Sequence, residues 1–144
     1  MINYDIPNSV SDYQASAPKS NLKGFDDLCF QTHAGFSDGK ARQARLKFGS
    51  RDQFEISVVQ NLKDGNGLYG HIDDNTFEVA MWYDGRDTML PLSIGDDVLA
   101  YQSPIDITRL MHQAHLNDFA WVCLLTEVRK EHNKELGLDN LDEY

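Results

Sequence analysis

Hydrophobic and polar positions alternate with period two through the middle of the chain. Leu46 and Phe48 point one way, Arg45 and Lys47 the other. Phe54, Ile56 and Val58 alternate with Glu55 and Ser57, and Phe77, Val79, Met81 and Tyr83 with Glu78, Ala80 and Trp82. Such alternation marks half-buried strands. Turn-forming clusters separate the runs: Gly49-Ser50-Arg51-Asp52, Lys63-Asp64-Gly65-Asn66-Gly67, Asp73-Asp74-Asn75, Asp84-Gly85 and Gly95-Asp96-Asp97. The second holds both Asp-Gly and Asn-Gly, strong hairpin signals, so Leu68 to Ile72 is expected to pair back on Phe54 to Gln60. Thr88 to Leu92 is expected as a strand that Pro91 confines to an edge, and Val98 to Tyr101 as a last short strand. Phe25 to Phe36 fits a strand or a helical turn equally well. Sequential strands on short turns imply an antiparallel meander.

The period then changes. Ser103 is an N-cap, Pro104 suits the first helical position, and Asp106 stands three residues after the cap, a capping box with Asp for the usual Glu. Ile107, Leu110, Met111 and Ala114 follow at one-face helical spacing. Asn117-Asp118 breaks and recaps the chain. Trp121, Leu124, Leu125 and Val128 repeat the spacing, Phe119, Val122 and Cys123 widen the apolar face, and Gly137 suits a C-terminal stop. The expected fold is therefore α+β: an antiparallel β-meander of about five or six strands with two C-terminal α-helices packed on one face. Residues 25–138 form a single domain, residues 1–24 an irregular N-terminal arm, and residues 139–144 an acidic tail.

Charge sharpens the expectation about partners. Thirteen Lys and Arg face 23 Asp and Glu, a formal charge of −10 across 144 residues. Long-range repulsion disfavours direct nucleic-acid binding and anionic membrane, and favours a basic protein surface. The start of the chain lacks the basic and apolar regions of a leader, and its longest strongly apolar run, Phe119 to Leu125, is too short to span a bilayer. Cys29 and Cys123 have apolar neighbours and are expected as buried thiols. The expectation is a cytoplasmic protein, monomer or dimer, that needs no cofactor.

Catalytic signals are sparse. His112 and His115, three apart on a helix, are close enough to share a metal, which His71 and Asp73 would complete if the fold brought them near. That is the alternative reading, a small-ligand or metal-dependent enzyme built on a His/Asp cluster. The pairs Asp26-Asp27, Asp73-Asp74 and Asp96-Asp97 stand at turns, where Asp bonds local amides. Gly65-Asn66-Gly67-Leu68-Tyr69-Gly70 has the spacing of a dinucleotide loop but precedes an expected strand where that motif requires a helix. Lys40, Arg42, Arg45, Lys47 and Arg51 form a basic cluster, read as counter-charge for the acidic turns.

The stretch from Phe77 to His112, with its Asp-Gly turn, Leu-Pro-Leu, Asp-Asp-Val-Leu and Gln-Ser-Pro before a helix, resembles small accessory proteins encoded by tailed phages. The resemblance implies binding to, and inhibition of, a host or defence protein. The residues themselves point to a non-catalytic acidic protein-binding module. Trp82 and Tyr69 would be its anchors, and Glu78, Asp73, Asp74, Asp96 and Asp97 its charges, set against a basic or nucleic-acid-binding surface of the partner. A structural or oligomer-forming subunit is the remaining alternative.

Overall fold

The structure is a computed structural model that describes residues 22–137. The arm up to residue 21 and the acidic tail lie outside the described residues. Five strands form one antiparallel sheet in sequence order: β1 (Gln31–Thr32), β2 (Ala41–Phe48), β3 (Phe54–Asn61), β4 (Phe77–Tyr83) and β5 (Leu99–Gln102). Two helices follow, α1 (Pro104–Asn117) and α2 (Phe119–Glu135). The α+β meander with C-terminal helices is thus present.

Period-two alternation does what it predicts. The inner face carries Phe48, Phe54, Ile56, Val58, Phe77, Val79, Met81 and Tyr83, all buried. They form one core with Ile107, Leu110, Met111 and Ala114 of α1 and Trp121, Val122 and Leu125 of α2. Buried Gln60 on this face is satisfied: its side chain accepts from Arg42 Nε at 2.8 Å and donates to the Thr76 carbonyl at 3.1 Å. Unpaired, such an amide would cost about 1–3 kcal/mol.

Helix α1 starts as its sequence dictates. The Ser103 hydroxyl accepts from the Asp106 N–H at 3.1 Å, and the Asp106 carboxylate accepts from the Ser103 N–H at 3.0 Å. Between the helices Asp118 takes φ 48° and ψ −130°, a conformation costly for a residue with a Cβ. Its carboxylate accepts from Gln53 Nε2 at 3.0 Å and Tyr83 Oη at 3.2 Å, with the Arg51 guanidinium 3.7 Å away. These contacts tie the helix junction to the sheet and offset the strain.

Two expected strands are absent. Residues 68–72 do not pair along β3, because β4 occupies that edge; only one parallel bridge, Asn61 to His71, joins them. Instead Leu62 to Thr76 loops back over the outer face of the sheet. Residues 88–92 carry no ladder either. Leu90, Pro91 and Leu92 are buried in succession, which alternation forbids, and one bond from the Leu90 N–H to the Met81 carbonyl (2.8 Å) anchors them. The ambiguous segment resolves into a single 3-10 turn at Phe25–Asp27 and the short β1. Both cysteines are exposed rather than buried. Leu28 turns inward and Cys29 therefore outward, and helical neighbours such as Val122 and Cys123 point about 100° apart.

Candidate functional site

The pairing register builds the outer face row by row. Lys47, Glu55 and Trp82 are aligned across β2, β3 and β4; Arg45, Ser57 and Ala80 form the next row, then Gln43, Val59 and Glu78. The helices occupy the inner face, so the Trp82 side of the sheet has no helical cover among the described residues.

The returning loop lies against one end of this face. The Asn61 side-chain amide donates to the carbonyls of Leu68 (2.8 Å) and Gly70 (2.9 Å), and the Tyr69 N–H donates to Glu78 Oε1 at 3.0 Å. Gly70 is required here, since a Cβ on it would sit 2.5 Å from the Phe77 Cα. The Tyr101 N–H donates to the Tyr69 carbonyl at 2.8 Å, so the loop also seals the edge of β5. The two rings meet edge-on with centroids 6.2 Å apart, yet Tyr69 is 51% and Tyr101 59% exposed. Tyr101 adopts φ +56°, in the left-handed region that bulky residues avoid. Immediately after Tyr69, the turn Ile72–Asp74 presents exposed Ile72, Asp73 and Asp74. Tyr69, Tyr101 and Glu78 thus meet in one place, and the exposed Ile72, Asp73 and Asp74 follow three residues on in the same loop.

Trp82 stands at the opposite end. Four residues from Glu78 along β4, it is separated by about 13 Å of strand. Arg45 reaches across β3, where Glu55 Oε2 accepts from its Nε at 3.0 Å, and its guanidinium carbon sits 4.8 Å from the Trp82 ring centroid. A groove of about 290 Å³ opens beside the ring, lined by Arg45, Lys47, Arg86, Asp52, Glu55 and Asp87 among others. The structure therefore does not join Trp82 to the acidic residues with which its sequence grouped it.

Asp96 and Asp97 remain at the surface but are engaged within the protein. Asp96 Oδ1 accepts from the Asp97 N–H at 2.7 Å, and Asp97 Oδ1 accepts from Arg129 Nη1 of α2 at 3.1 Å. Arg129 Nη2 also donates to the carbonyls of Ser93 (2.6 Å) and Asp96 (2.7 Å). This pair clasps the loop to the helix and leaves the candidate surface.

His71 caps the Ile72–Asp74 turn, its Nδ1 accepting from the Asp73 N–H at 3.1 Å. The Asp73 carboxylate lies 3.5 Å from the same nitrogen. Burial lowers the pKa of both His112 and His115, with His115 adding repulsion at His112. Among the described residues no group of three or more His, Cys, Asp or Glu is placed to hold a metal ion, so His71, Asp73, His112 and His115 are not brought together. Tyr83 has a raised pKa from burial and from the Asp118 carboxylate, which keeps its phenol a donor rather than a base. No helix among the described residues is long and apolar enough to cross a membrane.

Sequence reasoning missed Tyr101, Arg45 and Arg86. Tyr101 had no readable signal, because a β-bulge between Phe77 and Val79 breaks the alternation of β5. Arg45 did carry one, since it shares a strand face with Lys47, but only the three-strand register sets it over Trp82. In comparisons with known proteins, no family model, no curated protein and no solved structure matches this chain.

Proposed function

We propose that this protein is a non-catalytic binding module that docks on a basic protein surface through Tyr69, Tyr101, Glu78, Asp73 and Asp74. The observation that carries the reading is the exposed tyrosine pair, one member held in a strained backbone, flanked by carboxylates. Tyr is favoured at binding hot spots because a rigid amphipathic ring buries much area at little entropic cost. A chain charge of −10 would steer a basic partner inward, and the rings would set the dissociation rate. The same chemistry suits an inhibitor of the kind tailed phages encode, covering a basic or nucleic-acid-binding surface of a host or defence protein in the cytoplasm. Acting as monomer or dimer, the module needs no cofactor for this role.

The test is affinity purification of the tagged protein from cells at low and high salt, alongside a Tyr69→Ala/Tyr101→Gly double variant. The expected result is one stoichiometric basic partner, weakened by salt and lost with the double variant. Recovery of no partner, or of one that the double variant retains undiminished, would defeat the proposal.

A further inference from the structure

The Trp82 end of the sheet carries chemistry that the basic-partner reading does not use. In a chain with ten more acids than bases, Arg45, Lys47 and Arg86 converge on one groove. Glu55 engages only Nε of Arg45, so the ion pair acts as a strut that sets the guanidinium over the indole. Among the described residues the terminal amino groups of Arg45 make no hydrogen bond, and they form the forked pair of donors that matches an oxyanion bidentately. Trp82 is only partly covered and supplies an apolar floor.

Volume and charge select the occupant. The groove, at about 290 Å³, lies at the lower limit of ligand pockets, which suits one or two side chains rather than a cofactor. Asp52, Glu55 and Asp87 line the same groove. A polyanion with evenly spaced phosphates would press neighbouring charges onto them, and the whole-chain charge adds to that repulsion. A protein segment with an isolated acidic residue meets the cations at a smaller cost, since it brings one charge and not a row of them. We infer that the groove of Trp82, Arg45 and Lys47 is a second docking site, which takes a carboxylate side chain from a partner protein. Trp and Arg are the residue types that most often anchor such contacts. The site lies at the other end of the outer face from the tyrosine pair and stands independently of that pair's role.

Two tryptophans make the test direct. Trp121 is fully buried, so its indole N–H resonance is an internal control for that of Trp82. The probe is the peptide acetyl-Gly-Ser-Glu-Gly-Ser-amide, titrated into the ¹⁵N-labelled full chain at 100 mM salt. Its Gln counterpart and a thymidine hexanucleotide are titrated in parallel. The expected result is a saturable shift of the Trp82 indole resonance with the Glu peptide and a still Trp121 resonance. Arg45→Gln or Lys47→Gln should raise the dissociation constant at least about fivefold while leaving Trp121 in place. Three results would overturn the inference: no saturable Trp82 shift with the Glu peptide, an equal shift with the Gln peptide, or tighter binding of the hexanucleotide.

Discussion

Tyr101 offers a direct way to separate what the fold needs from what the surface offers. Its backbone sits at φ +56° and its ring is mostly in solvent. An L-residue in the left-handed region carries about 1–2 kcal/mol of strain, because Cβ crowds the following carbonyl. Glycine removes that strain but adds about 0.5–1 kcal/mol of unfolded-chain entropy. Tyr101→Ala and Tyr101→Gly lose the same ring and the same edge contact with Tyr69, so those losses cancel between them. The difference left is about 0.5–1 kcal/mol in favour of glycine. In urea, with a slope of about 1–3 kcal/mol/M, the glycine variant should unfold at a midpoint higher by about 0.5 M, with unchanged slope. Both variants should bind the basic partner equally poorly. An alanine variant at least as stable as the glycine variant would refute the strain argument. Full binding by either variant would refute the role of the ring.

Three further outcomes follow from the packing. Gly70→Ala puts a Cβ against the β4 backbone at Phe77, where no flexible side chain can yield; a loss of about 1–3 kcal/mol is expected in chemical denaturation. Arg129→Leu removes three hydrogen bonds between α2 and the loop 93–97, costing about 2 kcal/mol and raising amide exchange in that loop. The histidines give a pH dependence whose sign is fixed: with folded-state pKa values of His112 and His115 lowered below about 6.5, their neutral forms favour the fold. Their contribution is complete above that value and is lost as pH falls from there through the folded pKa values, so urea midpoints at pH 7 and pH 5 should differ less in a His112→Gln/His115→Gln variant.

Local signals were legible in the sequence and non-local ones were not. The capping box of Ser103 and Asp106 involves four consecutive residues, and the face of Ile107, Leu110, Met111 and Ala114 needs only helical periodicity; both are present. The same holds for the alternation of β4, whereas β3 is buried on both faces from Ile56 onward. The Asn-Gly and Asp-Gly turn signals misled, because the cross-strand partner of β3 is chosen by which segment buries more apolar surface. Phe77, Val79 and Met81 supply three fully buried side chains, whereas Leu68 to Ile72 supplies none. The apolar neighbours of Cys29 and Cys123 misled as well, since adjacency in sequence is not a shared face. Asp73-Asp74 and Asp96-Asp97 read alike as letters. They differ only through Arg129, more than thirty residues away, which engages the second pair.

The cations gathered at the Trp82 end of the outer face make net charge the wrong guide to binding there once salt is present. At 0.15 M ionic strength the screening length is about 8 Å, shorter than the roughly 13 Å of strand between Glu78 and Trp82. A ligand at either end then responds to the charges beside it. At about 0.01 M the screening length grows to about 30 Å, which spans a domain of this size, and every ligand meets the full −10. For a basic partner at the tyrosine patch, long-range and local attraction have the same sign, so added salt should weaken binding steadily. An acidic peptide at the Trp82 groove feels repulsion from the whole chain, Asp52, Glu55 and Asp87 included, and its attraction comes from Arg45, Lys47 and Arg86 at close range. Salt relieves the first before it screens the second, so its affinity should hold or rise between 10 and 150 mM. Parallel titrations of the Glu peptide by Trp82 resonance and of the basic partner by calorimetry would show the two opposite trends. If the acidic peptide weakened with salt as steeply as the basic partner, the groove would lack the local, short-range origin assigned to it.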